Sequence, residues 1–500
     1  MLPVALCAWA FLTSGCVQPL GPGYRFAARQ TEIHTSVAAP EQVHIRVVDH
    51  FDNVGHFPLR SLEVRLPEGP SYGSQNVRMT IDGKEVSPEH SSNTDRRMMR
   101  ASFDPAWKQP QPREIVTEWS VMPEPPARGT VAASAAAFYI ADETALPLWQ
   151  PPSGFFTQGG PNPEDETLTV FAPAEFRVLA PGKPLKHIRA GNLVMQGFHI
   201  KPDRDFLPYV VAGRYQEQVI RAPQGAVSFW TFQPLDAQQA RTAAARLSSS
   251  MRALEDFFGP ASRGKTVVHI VEAPGDLPAE FAGLDSGLHS GGLHTSPEAL
   301  SVKVEPAPGG TSFPEGALLD SRAFSQGIAN EAVLQLTEYE LARTWFGWRV
   351  RPRPEAQILM GRGVGLFGLV LAAEARGQDQ RGFAIASLLE RYDQARHIAT
   401  DRPLLEPPAG YSRAERISTG YRGALFFVAL EDLCGRANMG VAFREITRAR
   451  ANDDVGYEEL RAALESASGR DLAEMFRVWL IRPGIPDDFR ARYSNAPNAR

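Results

Sequence analysis

The sequence lacks several features that would assign it to a familiar class. Its 52 basic and 57 acidic residues give a net charge of -5, so there is no basic excess of the kind that nucleic-acid-binding proteins carry. The apolar run at the amino terminus, Leu2 to Leu12, has eleven residues, too few to span a bilayer as a helix. No internal repeat or heptad array is evident, which excludes solenoids and long coiled coils.

Cysteine is also scarce, with three in 500 residues. The run Leu2 to Leu12 has the length of a signal-peptide core, and the following Leu-Thr-Ser-Gly-Cys, ending at Cys16, is similar to a lipobox. If Cys7 leaves with the leader and Cys16 carries lipid, Cys434 is the only remaining thiol and no disulfide can form. Within a helical pattern, Cys434 is expected to be a buried small hydrophobe.

We therefore predict an exported protein of the cell envelope, anchored to a membrane by lipid at Cys16. No Lys or Arg precedes the apolar run, so an ordinary secretory signal cut nearby, or a chance match, stays open.

The composition, 43% hydrophobic and 22% charged, is typical of globular protein with more than one domain at this length. Short alternating apolar runs, broken by Gly, Pro, Asn and Asp, fill residues 41–232 and predict an all-β domain. The predicted divisions are a signal peptide at 1–16, a linker at 17–40, the β domain at 41–232, a second domain at 233–487 and a tail at 488–500.

Helical patterns dominate the second domain. The run Ala237 to Phe258 is alanine-rich, has helical period and is followed by Gly259-Pro260 as a stop signal. Further helices are predicted at about 325–346, 360–376, 380–396, 419–435, 438–450, 456–467 and 470–480. The expected fold class is α+β with several domains.

One helical segment has a chemically informative pattern. Residues 339–347 read Tyr-Glu-Leu-Ala-Arg-Thr-Trp-Phe-Gly. In a His-Glu-x-x-His helix, two imidazoles four residues apart share one face and bind zinc, while the glutamate acts as general base. Here Glu340 keeps its place, but Tyr339 and Arg343 occupy the imidazole positions.

This segment resembles the metal helix of the aminopeptidase N (membrane alanyl aminopeptidase) family of gluzincin zinc metallopeptidases. That helix typically reads His-Glu-Leu-Ala-His-Gln-Trp-Phe-Gly, so six of nine positions match. The resemblance implies an all-β first domain followed by a thermolysin-like, mainly helical metallopeptidase domain. It also implies a third ligand, a Glu, beyond an eighteen-residue gap, where this sequence has Arg362.

Two further segments carry the resemblance. Gly420 to Leu425 is similar to the family's Tyr-x-Lys-Gly-Ala, whose tyrosine stabilises the oxyanion, so Tyr421 is the implied counterpart. Gly291-Gly292-Leu293-His294-Thr295 is similar to Gly-x-Met-Glu-Asn, whose glutamate holds the substrate's amino group, and His294 replaces that glutamate. The implied substrate-binding positions are therefore Gly291, Gly292 and His294, together with Arg343 and Arg362.

The replacements bear directly on zinc chemistry. Arginine has no acceptor lone pair and stays protonated, so it repels a metal ion. Tyrosine, with a pKa near 10, is a poor ligand at neutral pH. Zinc lowers the pKa of its bound water from about 15.7 to about 7, which makes its loss a handicap of about 12 kcal/mol. We therefore predict no cofactor, with zinc lost.

The expected function is a zinc-less pseudoenzyme that serves as a binding or scaffold module and holds a peptide or protein ligand, but no nucleic acid, in the former cleft. Arg343 and Arg362 would either pair with Glu340 or remain free for a peptide carboxylate. Two alternatives stay open: an active metallo-aminopeptidase or other hydrolase that uses Glu340 and Tyr421 with an unpredicted metal site, and a purely structural envelope protein.

Overall fold

The computed structural model describes residues 22–66, 74–90, 98–121, 131–141, 146–152, 159, 162–201, 209–260, 267–277, 308–397, 399–405, 411–451 and 453–493. The chain divides into two compact units, each built from separate stretches of sequence. The first unit comprises Met1–Met122, Thr144–Ala174 and Gly182–Asp203, and the second comprises Pro123–Glu143, Glu175–Pro181 and Arg204–Arg500.

Strands dominate the first half of the described chain and helices the second. The strands are β1 (Tyr24–Thr35), β2 (Val43–Asn53), β3 (Leu59–Arg65), β4 (Ser74–Ile81), β5 (Lys84–Val86), β6 (Glu89–His90), β7 (Met98–Trp107), β8 (Pro112–Val121), β9 (Val131–Ala133), β10 (Ala137–Ile140), β11 (Leu148–Trp149), β12 (Asp165–Pro173), β13 (Arg177–Leu179), β14 (Lys183–Ala190), β15 (Leu193–Ile200), β16 (Val210–Gly213), β17 (Gln216–Ala222), β18 (Gly225–Thr231), β19 (Val267–Glu272), β20 (Gly310–Phe313), β21 (Gly316–Leu319), β22 (Arg351–Pro352) and β23 (Asp454–Val455).

The α-helices are α1 (Ala237–Phe258), α2 (Ser321–Ser325), α3 (Glu331–Ala342), α4 (Val364–Glu374), α5 (Gln378–Arg396), α6 (Arg413–Cys434), α7 (Arg436–Ala449), α8 (Tyr457–Ser468), α9 (Ala473–Phe476) and α10 (Asp487–Tyr493). A 3-10 turn, Pro354–Ala356, and a π-helical stretch, Gln357–Gly363, lead directly into α4. A second π-helical stretch, Arg477–Ile481, follows α9.

The first unit is a β-sandwich. One sheet has the strand order β14-β15-β12-β1-β2-β8-β4-β5, and the other has the order β11-β3-β7-β6. Their inner faces share one core, in which Phe51, Trp107 and Trp149 are fully buried. Burying each such side chain stabilises the fold by about 1.5–3 kcal/mol through the apolar surface it removes from water. The two facing sheets thus bury the apolar residues of the alternating pattern.

A row of charged side chains crosses the larger sheet inside this sandwich. Arg29 pairs in register with Glu166 on β12 and with Asp49 on β2, so the three side chains share one face. Arg29 binds both carboxylate oxygens of Asp49, at 2.7 and 3.0 Å, and Trp149 Nε1 donates to Asp49 at 2.7 Å. Glu166 is 2% exposed, and its Oε1 makes no hydrogen bond to any described residue.

The divisions predicted from sequence differ from these units in two places. The segment 17–40, expected to be a linker, contains β1, because Tyr24, Phe26 and Ile33 face the core and β1 pairs with both β2 and β12. The predicted β domain at 41–232 is also split between the two units, since β16, β17 and β18 lie in the second unit. β18 pairs in parallel with β19 across α1, so a boundary at 232 would cut one βαβ unit.

The second unit combines a small sheet with a large helical core. Its main sheet has the order β17-β18-β19-β21-β20, and α1 packs Leu247, Leu254 and Phe258 into the core against it. Helix α1 has the predicted bounds. The helix predicted at 325–346 is shorter, because Asn330 caps a new start and α3 ends at Ala342. The fold-class prediction is confirmed: an all-β region precedes a mainly helical one.

One helical stretch of the second unit, Pro354–Glu374, is long and apolar enough to cross a membrane, but most of it is buried among its neighbours. Val364, Phe367 and Leu371 are fully buried on it. A core helix passes such a length and hydropathy test equally well, so this stretch is no argument for a membrane span.

The buried row predicts an unusual pH dependence of stability. Burial raises the pKa of the Glu166 carboxyl to about 7, although the nearby Arg29 opposes the shift. The folded chain therefore keeps a proton that the unfolded chain has released, so the free energy of unfolding falls as pH rises from about 4.3 to about 7. We expect the free energy of unfolding of Glu166→Gln, relative to that of wild type, to rise by about 1–3 kcal/mol when the pH is raised from about 5 to about 8. Urea unfolding at both pH values measures this.

The exposed neighbour Glu164, 61% exposed, provides the control, because Glu164→Gln should leave the pH dependence as it is in wild type. Equal pH dependence in wild type and Glu166→Gln would contradict the assignment.

Candidate functional site

The candidate site is centred on Glu340, near the end of α3. Asn330 caps this helix with its side-chain oxygen on the backbone N–H of Ala332, and Glu340 lies on a buried face with 1% exposure. Beside it runs β20, the edge strand of the five-stranded sheet. A Cβ on Gly310 of β20 would be 3.3 Å from Glu340 Cγ, so the strand and the carboxylate are in close contact.

Arg343 neutralises this buried carboxylate. Its Nη1 donates to Glu340 Oε2 at 2.9 Å, an i,i+3 pair in which the arginine is 29% and the glutamate 1% exposed. The guanidinium also lies over the ring of Tyr339, with Cζ 5.6 Å from the ring centroid. Because Arg343 is the C-cap residue of α3, its charge also faces the negative end of the helix dipole.

Arg362 lies on the π-helical stretch that crosses α6. Its side chain packs on Gly420, where an added Cβ would be 2.4 Å from Arg362 Cδ. Three residues further on, a Cβ at Gly365 would be 2.7 Å from the Tyr339 ring and 2.9 Å from Arg343 Cγ. The helix that continues from Arg362 therefore packs against Tyr339 and Arg343 through Gly365, while the Arg362 side chain itself lies against α6.

The residues at the three predicted ligand positions do not fit a zinc ion. Two of the three positions hold guanidinium groups, which carry only donors, and the third holds a phenol that is 1% exposed and packed under one of them. Within the described ranges, no group of three or more His, Cys, Asp or Glu side chains comes together in a way that could hold a metal. The donor set at this position is that of an ion pair, since zinc needs ligands with lone pairs.

The other sequence-predicted residues divide into two groups. Tyr421 follows Gly420 on α6 and is 2% exposed, within the same buried cluster as Tyr339. Gly291, Gly292, His294 and Cys16 lie outside the described residues.

Sequence reasoning did not identify the strand that borders Glu340. In the structure this strand is β20, which offers Thr311 and Ser312, both buried, and no acidic side chain. The carbonyl of Ser312 accepts a hydrogen bond from Trp348 Nε1 at 3.1 Å. The pair Gly309-Gly310 was the available signal, but the sequence alone does not distinguish it from Gly291-Gly292.

The motif positions that match the resemblance have packing roles. Trp345 is fully buried and its Nε1 donates to the carbonyl of Gly259 at 3.0 Å. Phe346 is fully buried in the helical core, and Ala342 packs so closely on α4 that a Cβ on Gly368 would be 2.3 Å from its own. These residues fix the position of α3 whether or not a metal is bound.

Known structures share this architecture. The M1 zinc metallopeptidase from Deinococcus radiodurans superposes with a TM-score of 0.61 at 16% sequence identity, over 93% of this chain and 96% of that one. A mutant of it bound to a Tyr-Ser-Ala substrate gives the same TM-score and identity, over 93% and 95%. A two-domain M1 zinc metallopeptidase mutant bound to L-arginine gives 0.60 at 16% identity, over 93% and 95%.

This chain has the two-domain M1 peptidase fold. At 16% identity, the similarity establishes the fold and not an activity. No protein-family model matches the sequence, and no curated protein matches it.

The buried pair at the centre of the site makes a quantitative prediction. Arg343→Ala should lower the free energy of unfolding by about 1–3 kcal/mol, because it leaves a buried carboxylate without its cation. Adding Glu340→Gln should restore part of this loss, giving a coupling energy of about 1–3 kcal/mol in a double-mutant cycle. Urea unfolding of the four proteins measures this energy.

The exposed pair Arg252–Asp256, with side chains 63% and 62% exposed, is the matched control. The cycle with Arg252→Ala and Asp256→Asn should give less than about 0.5 kcal/mol. Equal coupling for the two pairs would show that the Arg343–Glu340 contact is only a surface interaction.

Proposed function

We propose that this protein is a zinc-less member of the M1 peptidase fold that binds peptides or their carboxylates in the former cleft and does not hydrolyse them. The main support for this proposal is the ion pair of Arg343 with Glu340, because Glu340 is the residue that would act as general base. Arg343 Nη1 donates to the Oε2 of this carboxylate at 2.9 Å, so that oxygen already has a hydrogen-bond donor.

The charges at the site support an anionic ligand. Arg343 and Arg362 bring two positive charges, and Glu340 brings one negative charge, so the former ligand positions and the carboxylate together carry about +1. Planar guanidinium groups bind carboxylates through paired N–H donors. Arg343 is 29% exposed, so solvent reaches part of this side chain.

The neighbouring strand supports the same class of ligand. An extended peptide can add to a sheet at its edge strand. β20 is the edge strand beside Glu340, and its four residues are buried in this structure. We assign to β20 the role of the strand that lines the cleft. Because Thr311 and Ser312 stand there without an acidic group, the proposal includes no recognition of a free amino terminus. The fold neighbours with a bound Tyr-Ser-Ala peptide or L-arginine suggest short peptides as the first probes.

We further propose that the chain is a lipoprotein of the cell envelope, because the sequence Leu12 to Cys16 is similar to a lipobox. Mass spectrometry of the mature amino terminus, which would show a diacylglyceryl group on Cys16, tests this proposal independently of the cleft.

Peptide binding provides the functional test. Tyr-Ser-Ala with a free carboxylate should bind at least about tenfold more tightly than the same peptide with a carboxyl-terminal amide, because one charge-assisted hydrogen bond contributes about 1.5–3 kcal/mol. Arg343→Met should abolish this preference and Arg343→Lys should retain part of it. Isothermal titration calorimetry measures both affinities, and Arg252→Met is the control for loss of a surface charge.

The outcomes separate the alternatives. Equal affinity for the two peptides would overturn the carboxylate proposal, and no binding of either would favour a purely structural protein. Cleavage of an aminopeptidase substrate panel that disappears in Glu340→Gln would favour the active hydrolase, with Tyr421 as the next residue to substitute.

A further inference from the structure

The hairpin of β14 and β15, at one edge of the larger sheet of the first unit, has an unusual surface. Every residue of β14, Lys183–Ala190, is exposed. Leu185 and Ile188 are 55% and 47% exposed, and Leu193 at the start of β15 is 39% exposed. Three of the ten exposed large hydrophobic side chains of the described chain therefore lie on this one hairpin.

The register places several of these side chains on one face. Ile188 pairs with Met195, and Ala190 pairs with Leu193, so the four side chains project to the same side of the sheet. The opposite side of β15 is buried, since Val194 is 2% exposed. The apolar patch thus lies on the solvent side of the sheet, at its edge.

Positive charge predominates on this hairpin, and the acidic side chain that contacts it is Asp165 of β12, 2.6 Å from His199 Nε2. From Phe176 to Pro202 the sequence contains no Asp or Glu, although the whole chain has 57 acidic residues in 500. The hairpin and the residue after it carry Lys183, Lys186, Arg189 and Lys201, and the entire chain has only seven lysines. A chain of net charge -5 therefore presents a local surface with four positive charges beside exposed aliphatic side chains.

We propose that this hairpin patch, formed by Lys183–Ile200 and Lys201, binds the surface of an anionic lipid bilayer. Cations attract anionic headgroups, and aliphatic side chains enter the headgroup boundary. The remaining surface of the chain is acidic overall and would be repelled by such a membrane, so the patch also fixes which side of the first unit faces the lipid.

Protection of a sheet edge explains only part of this surface. Lys183, Pro184 and the irregular register between Pro184 and His187 do block the addition of another strand. Half-exposed Leu185 and Ile188 have the opposite effect, because apolar side chains on an edge promote association. This edge combines charges that block strand addition with exposed aliphatic groups. That combination is better suited to binding a lipid surface than to pairing with another strand.

Vesicle sedimentation of the full chain tests the proposal. The background variant Cys16→Ser removes any lipid anchor, and the leader Leu2 to Leu12 is the same in every variant, so it cannot create a difference between them. This protein should bind phosphatidylcholine vesicles that contain phosphatidylglycerol, should bind pure phosphatidylcholine much more weakly, and should lose the difference in high salt. Replacing Lys183, Lys186 and Arg189 with Gln should weaken binding to the anionic vesicles by about 100-fold, from about fivefold per charge.

A control variant with the same change in net charge replaces three exposed arginines of the second unit with Gln. They are Arg252, Arg461 and Arg477, which are 63%, 40% and 46% exposed. This control should bind within about twofold of the background protein. A second variant, Leu185→Ser with Ile188→Ser, should weaken binding even in high salt, because it removes the apolar contribution.

Three results would overturn the proposal: no preference for anionic vesicles, equal binding by the hairpin variant, or an equal loss in the control variant. Retention on an immobilised poly-glutamate peptide without any vesicle binding would also overturn it, and would assign the patch to an acidic protein partner.

Discussion

A carboxylate withdrawn from water needs a cation, and this requirement organises the site. Glu340 is 1% exposed between α3 and β20, where an uncompensated charge would cost several kcal/mol. Arg343 meets the requirement from the same helix, and Arg362, at the third predicted ligand position, packs on α6. Arg343 and Arg362 together carry the same +2 charge as a zinc ion. Unlike zinc, their guanidinium groups act only as hydrogen-bond donors and cannot coordinate a ligand.

The motif of α3 separates into residues that pack and residues that do chemistry. Ala342, Trp345 and Phe346 are fully buried and fix the helix in its core, and these positions match the metallopeptidase helix. Tyr339 and Arg343, which differ, occupy the positions where a ligand would need a lone pair. The fold can therefore stay the same while its chemistry changes, because different side chains of one helix carry packing and ligation.

Local patterns determined what the sequence could reveal. Helix α1 and the pairing of Glu340 with Arg343 follow from helical spacing, while the placing of Arg362 beside them, expected from a counted gap, stays a prediction. Contacts between distant segments were not predictable: β1 gave no sign that Arg29 would meet Glu166, and the Pro/Gly-rich sequence of Pro306 to Gly316, expected to be a loop near the cleft, gave no sign of the strand β20. The division into units also escaped prediction, because a parallel strand pair across α1 is a tertiary feature.

The most direct test of the account is the zinc content of the purified chain after incubation with zinc, measured by inductively coupled plasma mass spectrometry. The account predicts no zinc above the buffer level in wild type, and about one ion per chain in the variant Tyr339→His, Arg343→His, Arg362→Glu, which restores the three ligand types. One zinc ion per chain in wild type would contradict the claim that guanidinium groups have replaced the metal.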